Sequence, residues 1–113
     1  MMIPKTTFIR DEKHRRFIAS LPCLITGASD VQACHVRKQN GGGVGLKPSD
    51  EFCLPLSCDQ HRIQHDCGEV EFWRPHLGYK RATKLARDLY AVTGDREKAL
   101  ELIGEWHNEI YNL

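Results

Sequence analysis

Residues 55–65 read PLSCDQHRIQH. His61 and His65 are four apart, so on a helix both imidazoles share one face and could hold one metal ion. Cys58 stands three before His61, a spacing also used by structural zinc sites. Ser57 or Asp59 can cap a helix that runs to about Cys67, and Gly68 breaks it.

Upstream, VQACHV (31–36) alternates as a short strand. Val31, Ala33 and His35 point one way; Gln32, Cys34 and Val36 point the other. RKQNGGGVGLKPSD (37–50) has four glycines in five residues and reads as a loop. The spacing of a phosphate-binding glycine loop is absent. EFCLPL (51–56) follows as a second strand, expected at an edge because Pro55 lacks an N–H. The middle of the chain is therefore strand, long loop, strand, helix.

The flanks are helical. RDEKHRRFIAS (10–20) carries Phe17 and Ile18, with Leu21 following and Pro22 ending it. Ala82, Leu85, Ala86, Leu89 and Tyr90 repeat with helical period, as do Ala99, Leu102, Ile103, Trp106 and Ile110. Thr93–Gly94–Asp95 separates the two runs and Asp95 is a candidate cap. Lys80, Lys84 and Arg87 form a basic stripe on the first of these helices, either solvated or against DNA. The fold class expected is α+β, one domain over 1–113. Its core spans about 22–74 and a C-terminal helical extension about 79–111.

At 113 residues and 41% hydrophobic content, the chain suits one modest core rather than a disordered or fibrous protein. No apolar run approaches the roughly 20 residues that span a bilayer. The opening MMIPKTTFIRDEKHRR does not read as a signal peptide. The expectation is a cytoplasmic protein with no membrane partner. Net charge is +1, with eight Lys/Arg against four Asp/Glu in 1–50 and eight against eleven in 51–113. This neither requires nor excludes nucleic acid. Five cysteines, none in a C-x-x-C pair, argue against a disulfide framework.

Three of six histidines, His35, His61 and His65, fall in the strand–strand–helix unit, and Asp50 closes the glycine loop. Phosphodiester hydrolysis uses such parts. A divalent ion neutralises charge on the phosphate and leaving oxygen, a neutral histidine takes a proton from water, and an oxygen fixes that histidine's tautomer.

In order and spacing, ACHVR (33–37), GLKPSD (45–50), PL (55–56), HRIQH (61–65) and FW (72–73) resemble small phage and prophage proteins. These belong to the HNH (ββα-metal, His-Me finger) endonuclease superfamily. The resemblance covers about 22–74. It implies a two-stranded hairpin and helix around one divalent metal (Mg, Mn, Ni or Zn), with DNA as substrate. His35 then corresponds to the general base and Asp50 falls near the residue that orients it. His61 and His65 match the metal-binding pair. Arg37, Lys38, Lys47 and Arg62 become candidate phosphate contacts, and Phe72 and Trp73 pack the metal helix. A homodimer or a phage recombination protein is a further candidate partner.

The departures from that pattern are specific. Relatives often carry another ligand immediately before the base. Here that place is Cys34, which strand alternation points away from His35 and whose soft sulfur argues against magnesium. Relatives also often hold a structural zinc through two C-x-x-C-like pairs. Here the four positions read Cys23, Thr26, Ser57 and Gln60, so that zinc is expected to be lost, with apolar packing in its place. A register shifted by one instead gathers Cys58, His61, Cys23 and Cys53 around a structural zinc. The alternative function is then a catalytically inactive zinc-binding module that meets DNA or protein.

Overall fold

The structure, a computed structural model, describes residues 9–37 and 49–111. Over these residues it is α+β, with five helices and a two-stranded antiparallel hairpin. Lys38, Lys47 and the glycine run between them lie outside the described residues.

Helix α1 (Glu12–Ala19) begins where Asp11, in extended backbone, accepts the His14 N–H at 2.9 Å. It stops before Pro22, as expected, and buries His14 and Ile18, with Leu21 buried just beyond. A turn at Gly27, which takes φ +76°, leads to strand β1 (Val31–His35). Strand β2 (Cys53–Ser57) pairs with it so that His35 faces Cys53 and Val31 faces Ser57.

The second strand starts two residues later than its sequence suggests. Asp50–Phe52 instead form one 3₁₀ turn, closed by the Phe52 N–H on the Ser49 carbonyl. The turn aims Asp50 inward. Pro55 costs the hairpin little: its carbonyl turns away from β1 to accept the Leu24 N–H at 3.0 Å, so the N–H it lacks falls on the side that faces no strand. Every residue of β2 is buried, with α1 and α4 packed against it.

Ser57 ends β2 and caps α2 (Cys58–Cys67), its hydroxyl accepting the Gln60 N–H at 3.3 Å. Gly68, at φ +87°, ends the helix, as expected. Helix α3 (Glu69–Trp73) then buries Phe72 and Trp73. Helices α4 (Gly78–Ala91) and α5 (Arg96–Tyr111) complete the molecule. Asp95 caps α5 through the Lys98 N–H. The apolar runs predicted for these helices supply the core: Ala82, Leu85, Ala86, Leu89, Ala99, Ile103 and Trp106 are buried. Trp73 meets Trp106 edge-on at 6.4 Å, joining α3 to α5. Among the described residues no helix is long and apolar enough to cross a membrane.

Candidate metal and proton-transfer site

Between the hairpin and α2 lies a cavity of about 310 Å³. It is lined by Ala33, Cys34, His35, Arg37, His61, Gln64, His65, Gly68 and Glu69. The three histidines predicted to converge share it.

At the strand end, His35 Nε2 lies 3.0 Å from Asp50 Oδ1. Asp50 is 2% exposed. Burial would push its carboxyl up, but donors from His35, the Asp11 N–H and Arg15 together outweigh burial, holding it below the usual carboxylate range. An ionised Asp50 accepts the Nε2 proton of His35, which leaves Nδ1 as the basic nitrogen.

At the helix end, His61 Nε2 and His65 Nε2 are 3.0 Å apart. His61 Nδ1 donates to Gln32 Oε1 at 2.7 Å, so its Nε2 carries the lone pair and accepts from His65. Burial, then the charges of His65 and His35, lower the pKa of His61 and favour the neutral, ligating form. The 3.0 Å gap is a hydrogen bond and lies close to the roughly 3.0–3.4 Å that separates two imidazole nitrogens bound at about 2.1 Å to one ion. Taking such an ion would move the ring proton of His65 from Nε2 to Nδ1.

A further donor group joins this one. Among the described residues, His35, Asp50 and Cys53 have ligand atoms within 4.8 Å of one another, a group that could bind a metal. The sequence places Cys53 in the shifted zinc register. Its pairing opposite His35 explains its place beside Asp50. However, burial and then the Asp50 charge push its thiol up to about 12. Asp50 already serves three donors. The fit to a cation arriving from solvent is therefore better at His61 and His65.

Other candidates fall elsewhere. Cys34 is buried, its thiol pushed up to about 12 by burial and by Cys53, and it points toward the Gln32 carbonyl. Cys58 is exposed at the start of α2, whereas Cys23 is buried, so the shifted zinc register does not assemble among the described residues. At the staple positions, Ser57 and Gln60 form the α2 cap, and the Ser57 N–H donates to Cys23 Sγ at 3.2 Å. Burial pushes the Cys23 thiol up, but Thr26 and backbone donors outweigh it and lower its pKa overall. Hydrogen bonds, not only the expected apolar packing, therefore occupy that corner.

Arg37 is exposed at the cavity rim, its N–H donating to Glu69 at 2.7 Å. Arg62, expected at a phosphate, pairs with Asp59 at 2.9 Å because the two share one side of α2. Lys80, Lys84 and Arg87 line a separate surface groove with Thr83 and Asp88. Lys84 is paired there with Asp88 at 2.8 Å. Gln32, Gln64 and Glu69 were not anticipated. Only Gln32 left a trace, as the polar member of a strand face otherwise made of Cys34 and Val36.

No curated protein and no solved structure matches the chain. Residues 1–92 match the model of the family described as "Protein of unknown function (DUF968)", so the chain belongs to that family.

Proposed function

We propose that this protein is a metal-dependent endonuclease acting on DNA, with the hairpin and α2 forming a ββα-metal core of HNH type. One observation carries the reading. A histidine held by a buried carboxylate and a pair of histidines 3.0 Å apart line the same cavity.

Asp50 holds the Nε2 proton of His35, so Nδ1 takes a proton from the attacking water. The protonated ring that results is stabilised by the Asp50 charge beside it. His61 and His65 would hold a divalent ion, which when bound would supply positive charge to the phosphate and its leaving oxygen. Gln32 fixes His61 in the tautomer that leaves Nε2 for the ion. Arg37 at the rim is placed to meet a flanking phosphate. None of these groups reads a base edge, so target choice rests on DNA structure or on a partner.

The test is cleavage of duplex, nicked and branched DNA with Mg²⁺, Mn²⁺, Ni²⁺ or Zn²⁺, beside His35→Ala. Metal-dependent cleavage that the substitution abolishes is the expected result; equal cleavage by both proteins overturns it. The His35–Asp50–Cys53 donor set favours a second reading, a zinc-binding interaction module. That reading expects stoichiometric zinc retained in His65→Ala and lost in Cys53→Ser, with no cleavage in either.

A further inference from the structure

The group that orients His35 is itself held from outside the hairpin and α2. Asp50 Oδ1 serves His35, while Oδ2 accepts two donors from the start of α1. These are the Asp11 N–H at 2.7 Å and Arg15 Nε at 3.0 Å. The same segment is joined to the turn twice more. The Ile9 N–H donates to Ser49 Oγ and the Asp50 N–H to the Ile9 carbonyl, both at 2.8 Å. Asp11 in turn caps α1 through the His14 N–H.

A carboxylate gripped at one oxygen can turn about its Cβ–Cγ bond; gripped at both, it cannot. Its plane decides where His35 can donate. The side chain of Asp50 is 4% exposed, so its charge needs compensation within the protein, and among the described residues Arg15 is a cation that touches it.

We propose that Arg15 is a positioning residue. With the Asp11 N–H it holds the Asp50 carboxylate in plane, and so keeps His35 in the tautomer whose Nδ1 is bare. The catalytic consequence rests on the nuclease reading; the hold on the His35 ring does not. An arginine beside a nuclease site invites the alternative that it binds a DNA phosphate. The Nε bond to a buried carboxylate points instead to a role through His35.

The experiment uses the full chain and two readouts. Ring ¹⁵N spectra at pH 8.5 report the His35 tautomer with or without activity. The parent should show one protonated and one bare nitrogen, well separated. In Arg15→Ala the two resonances should move toward each other. In the cleavage assay kcat should fall about 10- to 100-fold, the scale of losing an outer partner of a functional side chain, with KM little changed. Arg15→Lys, which keeps a cation there, should recover most of the rate; neutral Arg15→Gln should not. Should Arg15→Ala fail to fold, the Lys–Gln comparison carries both readouts.

Unchanged His35 resonances in Arg15→Ala or Arg15→Gln overturn the proposal. So does a rise in KM at unchanged kcat, the mark of a phosphate contact. If the parent cleaves no DNA, the nuclease reading fails while the spectra still decide whether Arg15 sets the ring.

Discussion

The two ends of the cavity use the same side chain and hold it in opposite ways. His35 is fixed by a buried carboxylate that takes three donors from two other parts of the chain. His61 and His65 stand on one helix, bonded to each other, with His61 also bonded to the exposed Gln32. A group that must pass a proton in one direction gains from a fixed tautomer. A pair that must admit an ion gains from lone pairs committed to little else. The contrast separates a pre-set end from an open one, and each substitution below strains one end while leaving the other.

The largest effect is expected for His35→Ala, a loss of about 10²–10⁴ in cleavage rate, the usual weight of a general base. Metal binding, followed by calorimetry, should persist in that variant. Next comes His65→Ala. Metal affinity at the helix end should fall by more than the roughly 10- to 100-fold that outer partners of a ligand contribute. The ring spectrum of His35 should not change. If it does, the two ends are one unit and the comparison fails.

Stability should divide the same way. Asp50→Ala strands the buried donors around it and should cost about 1–3 kcal/mol in urea unfolding. His65→Ala, on an exposed helix face, should stay within about 0.5 kcal/mol. Gln32→Ala leaves both ligands in place but frees the His61 tautomer. About a tenfold loss of metal affinity is expected, read in the same calorimeter.

The smallest effect is a pH signature of the metal-free protein. The pKa of His61 is lowered on folding, so the unfolded chain binds its proton first. Stability is therefore lost as pH falls below about 6.5 toward the lowered native value. That of Asp50 is also lowered, but for an acid. Its contribution is present above about 3.9 and lost as pH falls through its native value. His14 and His76, lowered mainly by burial, act in the upper window too. The difference curve between the parent and His61→Gln therefore isolates the helix end. Slopes confined to one window would merge the two ends.

The helix end was largely legible in the sequence, since a four-residue spacing is a local property and Ser57 announces the helix that realises it. The strand alternation of 31–36 separates Cys34 from His35 less cleanly, since both line the cavity. What escaped was set by contacts far apart in the chain. Arg15 reaches Asp50 across 35 positions and Gln32 reaches His61 across 29. No periodicity encodes either. Asp50 was marked by its motif, yet the 3₁₀ turn that aims it inward displaced the start of β2 by two residues. Cys53 is a core thiol by burial, but strand register carries it beside Asp50.

Ser57 is at once the last residue of β2 and the cap of α2, so no slack separates sheet from helix. The junction works as an angular index. One residue added after Ser57 would advance every following side chain by about 100° around the helix axis. It would swing His61 and His65 away from His35 without altering a single side chain at either end.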